Sequence, residues 1–356
     1  MNIILAIIIF SFIIIFHELG HFIMAKKSGI RVLEFCLGLG PTIFKVQKGE
    51  TVYALNLLPF GGACMMEGED SESDDERAFN KKTVWQRIQV VAAGPVFNFI
   101  LAYLLAVLFI GIAGYDAPVI ASVEEGYPAQ EAGIEPGDRI TKLNGYPVHF
   151  YSEIRLYNFF HPGEKVEVAY ERGGEEHTVT LTPKYSEEAG SYLMGMNGSG
   201  EREKSGFFGT LAYGAYEVKF QVVSTFESLR MLVTGQLSLN DLSGPVGIVK
   251  TIGDAYEQSV QDGIYYVVVN MLSMTILLSA NLGVMNLLPI PALDGGRLLF
   301  LIVEGIRRKK IDEELEGKIH LVGFALLMVL MVVVLFNDVR KIVFPMLSLV
   351  SVGPFW

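Results

Sequence analysis

The chain has 356 residues, 51% of them hydrophobic, and 28 lysines and arginines against 39 acidic residues, a net charge of −11. That composition fits several membrane spans beside one modest folded domain, and the acidic balance argues against a nucleic-acid partner. Only two cysteines occur, Cys36 and Cys64, with no CxxC pair, so neither a disulfide framework nor a structural cysteine–zinc site is expected.

The first apolar run, Ile3 to Phe16, is interrupted only by Ser11 and resumes from Phe22 to Ala25, reaching the roughly 20 residues that span a bilayer. It has no basic flank and no A-x-A cleavage site, so it is expected to be a mature transmembrane helix rather than a secretory signal. His17-Glu18-Leu19-Gly20-His21 sits at its inner end. Ionisable side chains are expensive in such a segment and point to function. Four helical residues turn about 400°, so His17 and His21 share one face and can grip a single ion. Glu18 projects beside that face, placed to take a proton from an acidified water rather than to bind the ion. This is the division of labour of HExxH zinc sites, and zinc is the first choice because it accepts histidine and carboxylate together at low coordination number.

Between Glu34 and Met66 the helical pattern stops. Thr42 to Val46 and Thr51 to Leu57 are β-prone runs joined at Lys48-Gly49, followed by the glycine-rich piece Pro59 to Met65. The segment is too apolar for a plain loop and reads as a re-entrant β-hairpin against the helix bundle. Gly61, Gly62, Ala63, Cys64 and Met65 form the candidate strand edge: a helical polypeptide must unwind before its carbonyls can be attacked, and a free edge can replace the lost hydrogen bonds. The alternative is a hairpin that only caps the bundle. Glu67 to Glu76 reads as a solvated acidic loop.

A second span is expected from about Ile88 to Gly114 and carries Asn98, either an interhelical hydrogen-bonding group or a contact for bound polypeptide. From Val119 to Pro183 the composition changes. A short helix ended by Gly133, a Pro136-Gly137-Asp138 turn, a strand leading into Asn144-Gly145, and a hairpin around Arg172-Gly173-Gly174 together resemble a PDZ domain. Such grooves bind extended chain ends by strand addition; the alternative is a spacer without ligand affinity. Phe207 to Val233, with Glu217, Lys219, Glu227 and Arg230, is expected to be a helix lying along the membrane surface.

The third span is expected from Ile264 to Leu288, continuing past two prolines to Val303, and the fourth from Ile319 to Phe336. The tail Ile342 to Trp356, broken by Pro345 and Pro354, is expected at the interface or against the bundle. Lysines and arginines concentrate between spans one and two and between spans three and four, which places those links in the cytoplasm. From Ile264 to Gly296 the only charged side chain is Asp294, and Pro289 and Pro291 free backbone groups just before it. It is the candidate third ligand, since catalytic zinc takes about three protein ligands plus water.

HELGH in a first transmembrane helix, with Asn286-Leu-Leu-Pro289-Ile-Pro291-Ala-Leu-Asp294-Gly295-Gly296 in a later one, resembles the site-2 protease family of intramembrane zinc metalloproteases, in the bacterial branch with a single PDZ domain. Gly94-Pro95-Val96-Phe97-Asn98 and Ser243-Gly244-Pro245-Val246-Gly247 extend the resemblance over nearly the whole chain. It implies that His17, His21 and Asp294 bind one zinc ion, that Glu18 is the catalytic acid/base, and that Asn286 holds substrate near the metal. The implied fold is a polytopic α-helical membrane protein with about four transmembrane helices, a membrane-associated β-hairpin and an extracytoplasmic PDZ domain. The expected divisions are 1–114 (first membrane half), 115–185 (PDZ), 186–263 (linker and surface helix) and 264–356 (second membrane half). The expected setting is the bacterial plasma membrane, with lipids as neighbours and the active site toward the cytoplasm. Expected substrates are single-span proteins already cut outside, such as anti-sigma factors or remnant signal peptides. A catalytically silent PDZ adaptor and a metal transporter are the alternatives. Glu18 argues against the first, and the single polar cluster against the second.

Overall fold

In the computed structural model, residues 2–69, 73–238 and 242–343 are described. They fall into two compact units, one built from Met1–Leu105 with Leu239–Arg340, the other centred on Ala106–Ser238.

The first unit begins with α1 (Asn2–Lys27). Its unbroken apolar run is helical because lipid offers the backbone no other hydrogen-bond partner. Gly29, at φ +67°, ends it, and the Ile30 N–H returns to the Ala25 carbonyl at 2.9 Å. Next come β1 (Val32–Lys48) and β2 (Thr51–Met66), joined through Gly49 at φ +66°. The pairing is more elaborate than the simple hairpin read from sequence. Residues 51–55 lie between 44–48 and 34–37, and 34–37 in turn pair with 62–65. Residues 62–65 therefore form an outer edge, and no other strand among the described residues pairs with them. Leu39, Ile43, Phe44, Val46, Leu57 and Leu58 are exposed on this sheet, an apolar surface suited to lipid. Beyond it, Glu69 of the acidic loop is held by Arg297 rather than left to solvent.

Helix α2 (Val84–Ala113) starts on a reciprocal cap between Thr83 and Gln86 and contains Pro95. It lies tight against α1: a Cβ added to Gly20 would stand 2.4 Å from the Ala93 carbonyl oxygen. The apolar packing of α1 and α2 is completed by Ala6, Ile9, Ile13 and Leu101.

The second unit contains β3 (Tyr115–Asp116), β4 (Ile120–Val123), α3 (Pro128–Glu131), β5 (Arg139–Leu143), β6 (Tyr146–Pro147), α4 (Tyr151–Phe160), β7 (Val166–Arg172), β8 (Glu175–Leu181), β9 (Lys184–Ser186), β10 (Ser191–Leu193), β11 (Met196–Gly198) and β12 (Arg202–Glu203). Four strands form an antiparallel sheet in the order β6-β5-β7-β8. With its two short helices this fits a PDZ-like domain. β11 pairs with β4 and β12 with β3, carrying the β-structure to Glu203, beyond the position 185 at which the alternating pattern fades. Ile120, Ile140, Val166 and Val168 fill the core. Arg172 holds the buried Asp138 through two hydrogen bonds of 2.6 and 2.7 Å. Helix α5 (Phe207–Val233) follows the expected span and turns Tyr213, Tyr216 and Phe220 onto Tyr115, His149 and Phe150 of the same unit.

The chain then returns to the first unit through α6 (Pro245–Asp262), α7 (Ile264–Leu287), α8 (Asp294–Arg307) and α9 (Glu313–Val343). Buried Asp338 of α9 accepts the Gly244 and Gly247 N–H groups at 3.1 and 2.8 Å, anchoring the start of α6. The third apolar run is not one helix to Val303. It stops at Leu287, crosses Pro289 and Pro291, and restarts at Asp294, because each proline removes a donor and clashes with the preceding turn. In the crossing, Ala292 takes φ +78° and gives its N–H to His320 Nδ1 at 2.9 Å. Buried Arg87 of α2 pairs with Glu304 of α8. Among the described residues, four helices are long and apolar enough to cross a membrane: Ile3–Lys27, Val84–Ala113, Ile264–Leu287 and Glu314–Lys341. Most of the expected tail, from residue 344 on, lies outside the described residues.

Candidate metal centre

One helical turn brings His17 and His21 edge to face, with ring centroids 4.8 Å apart. Asp294, first residue of α8, reaches the same point. Its Oδ2 lies 3.2 Å from His17 Nε2 and 3.5 Å from His21 Nε2, while the two Nε2 atoms are 3.2 Å apart. This is the cluster of three metal-ligating side chains found among the described residues. Bonds of about 2.0–2.1 Å to a tetrahedral zinc ion put ligand atoms roughly 3.3 Å from one another, so the triangle has the size that zinc requires. Asp294 Oδ2 is buried, faces both imidazoles and has no other partner among the described residues, as a carboxylate awaiting a cation would be. Two imidazoles and one carboxylate also leave an open position for water or substrate.

The surroundings prepare each ligand. His21 Nδ1 donates to the Val90 carbonyl at 2.9 Å, which leaves the Nε2 lone pair facing the cluster. Pro95 lies in the next turn of α2, where it withdraws a donor from the helical ladder. His17 Nδ1 faces the Asn98 amide nitrogen at 3.1 Å. Both histidines are nearly enclosed, each 8% exposed. Space for them is made by Gly94: a Cβ there would lie 2.2 Å from His21 Nε2 and 2.7 Å from His17 Cε1. Gly295 and Gly296 do the same for Asp294. A Cβ on the first would be 2.1 Å from the Leu288 carbonyl oxygen, and on the second 2.5 Å from that of Ile290, so the start of α8 can press against the proline crossing only as glycine.

Glu18 stands beside the cluster, half-buried, and its carboxylate is hydrogen-bonded by the backbone of Cys64. Gly62 is its other neighbour, with a would-be Cβ 3.1 Å from Glu18 Cγ. The strand edge expected at 61–65 thus lies against the expected base. Gly61 adopts φ +82° at its start, Cys64 is buried and Met65 is exposed. Asn286, in the last turn of α7, is half-buried and makes no side-chain hydrogen bond among the described residues. Asn98 is fully buried. The structure therefore brings His17, His21, Asp294, Glu18, Asn98 and the 62–64 strand together. The residues sequence reasoning missed are Gly20, Gly94 and His320, whose partners are distant in the chain.

Comparison with known proteins follows the same lines. The family model described as Peptidase family M50 matches residues 5–330. A Clostridium acetobutylicum protein bearing the name zinc metalloprotease is 40% identical over 95% of this chain and 97% of its own length. The zinc metalloprotease RasP of Bacillus licheniformis is 35% identical, covering 96% of this chain and all of the relative (100%). The regulator of sigma-W protease RasP of Bacillus subtilis is 34% identical, covering 94% and 97%. A solved PDZ domain of a Listeria monocytogenes SdrC-like protein aligns with 24% of this chain and 90% of that domain at 22% identity, with a TM-score of 0.21.

Proposed function

The chain belongs to peptidase family M50 and is a zinc metalloprotease of the membrane, and from that premise we propose that it hydrolyses peptide bonds within the transmembrane segments of single-span proteins already trimmed outside. The observation that carries this reading is a zinc-sized triangle in which His17 and His21 stand on α1, a helix long and apolar enough to lie in the bilayer, and Asp294 reaches them from the start of α8, just past the candidate span α7.

His17, His21 and Asp294 would hold the zinc. When bound, zinc would supply Lewis-acid chemistry: polarisation of a carbonyl and a lowered pKa for a water. Glu18 takes the water's proton on its carboxylate and returns a proton to the leaving amine. Residues 62–65 pair with a locally unwound substrate strand, replacing hydrogen bonds that the substrate helix gives up. That edge holds the scissile carbonyl beside Glu18, with Gly62 small enough to let it close in. Asn286, whose side chain makes no hydrogen bond among the described residues, binds the substrate backbone.

By the distribution of lysine and arginine, the metal centre lies toward the cytoplasmic leaflet and the PDZ-like domain outside. There the domain admits chain ends produced by an earlier cut, by strand addition. The Bacillus subtilis relative is named for control of sigma-W, which supports anti-sigma factors as substrates; remnant signal peptides are a second class. The test is a comparison of membrane fragments in cells carrying wild type or Glu18→Gln. Accumulation of membrane stubs with trimmed outer ends is expected. Accumulation of untrimmed proteins alone would overturn the proposal.

A further inference from the structure

Asn98 belongs to α2, and its whole surface is enclosed, 0% exposed. Three facts define its environment. Its amide nitrogen lies 3.1 Å from His17 Nδ1. Its side-chain oxygen is buried without any hydrogen-bond donor. Its backbone carbonyl accepts the Ser279 hydroxyl at 2.8 Å, which fixes the residue between α2 and α7. An enclosed side chain aimed at a ligand ring has no face left for a substrate.

The hydrogen bond from Asn98 to His17 Nδ1 decides where the ring carries its proton. With the amide nitrogen donating to Nδ1, the proton is on Nε2, and Nε2 can donate to Asp294 Oδ2 at 3.2 Å. A ring in that state has no lone pair for a cation at Nε2. To ligate through Nε2 it must carry its proton on Nδ1, where the Asn98 N–H would oppose it. A half-turn of the amide about its Cβ–Cγ bond resolves the conflict, because it presents the oxygen to the Nδ1–H. It also gives the unpartnered buried oxygen a donor. The Val90 carbonyl, which serves His21, can only accept.

We propose that Asn98 is a positioning residue for the metal centre: its side-chain oxygen accepts the His17 Nδ1–H and so turns the His17 Nε2 lone pair toward the ion. The inference rests on the metal site proposed above. Hydrogen-bond partners of this kind are worth about 10–100-fold in metal affinity.

The test is the zinc dissociation constant of the detergent-solubilised full chain, measured by chelator competition alongside zinc content. Asn98→Leu, similar in size and unable to accept, is expected to weaken zinc by about 10–100-fold. Asn98→Asp, which only accepts, is expected to hold zinc at least as tightly as wild type. Ser279→Ala loosens the same helix contact without touching the amide and is expected to leave the constant unchanged. Wild-type affinity in Asn98→Leu overturns the inference, as does equal weakening in Asn98→Leu and Asn98→Asp. A wild type that holds no zinc, or a His17→Ala variant that keeps it, overturns the metal site itself, a separate result.

Discussion

Gly94 of α2 stands so close to His21 of α1 that a methyl group on it would lie 2.2 Å from His21 Nε2. The metal centre is thus defined by a missing side chain as well as by three present ones. Gly94→Ala is expected to push the two rings apart, because the nearest atoms belong to stiff imidazoles in a packed helix pair. The solubilised variant should retain its helical circular dichroism and lose most of its zinc. A full complement of zinc would show that the ligands have room to spare.

A second glycine limits Glu18, the proposed base, rather than the proposed metal ligands. A Cβ on Gly62 would meet Glu18 Cγ, the Cys36 carbonyl oxygen and Ile14 Cγ2, each at 3.1 Å. Gly62→Val is expected to displace Glu18 and the strand edge together while leaving His17, His21 and Asp294 in place. Zinc content should stay at the wild-type level while turnover falls by about 100-fold, the scale of a roughly 1 Å misplacement. Parallel loss of zinc and activity would mean that the strand supports the ligands instead.

The PDZ-like unit makes a prediction with a definite sign in pH. Burial would raise the Asp138 carboxyl, but the hydrogen bonds and charge of Arg172 and the Glu135 N–H together outweigh it and hold the group below its ordinary value. A carboxylate lowered on folding stabilises the native state above its unfolded pKa of about 3.9 and loses that contribution as pH falls through the folded value. Wild type should therefore lose stability on acidification through that range. In Arg172→Leu the bonds and charge of the guanidinium are gone while the Glu135 N–H still holds Oδ2 at 2.9 Å, so the carboxyl rises relative to wild type and the stability lost on acidification should shrink. At neutral pH the variant should be less stable by about 2–4 kcal/mol, the penalty of a buried charge left unpaired. Hydrogen exchange in β5 and β7 of the full chain reads both effects. An acid-induced loss of equal size in both proteins would contradict this.

How much of this was legible in the sequence depended on the range of the interaction. HELGH was legible because an apolar span makes polar residues conspicuous, and helix geometry alone aligns His17 with His21. Asp294 was legible by elimination, as the only charged side chain in its run. The break at Pro289 and Pro291 was visible, but the restart of a helix at Asp294 was not, since periodicity does not say where a chain resumes after a proline crossing. Period-two alternation flagged β-structure from 42 to 57, yet it carries no information about partners. The insertion of 34–37 between two other segments therefore needed coordinates. Gly20 and Gly94 read as letters of a motif, because what a Cβ would strike lies on another helix. Asn98 was conspicuous as a polar group in a span, but its partner, 81 residues away, was not. The strands β11 and β12 are too short to show alternation, so the end of the PDZ-like fold was obscure.

The account turns on Glu18 being the base beside a zinc site that cuts inside a membrane segment. The most direct measurement is cleavage of a single-span reporter by solubilised wild type and Glu18→Gln, with zinc content and fragment masses determined together. The expected result is fragments ending within the apolar segment from wild type, and a rate lower by about 10²–10⁴-fold from a Glu18→Gln protein that still carries zinc. Equal cleavage by the two proteins, or fragments ending only outside the apolar segment, would contradict it.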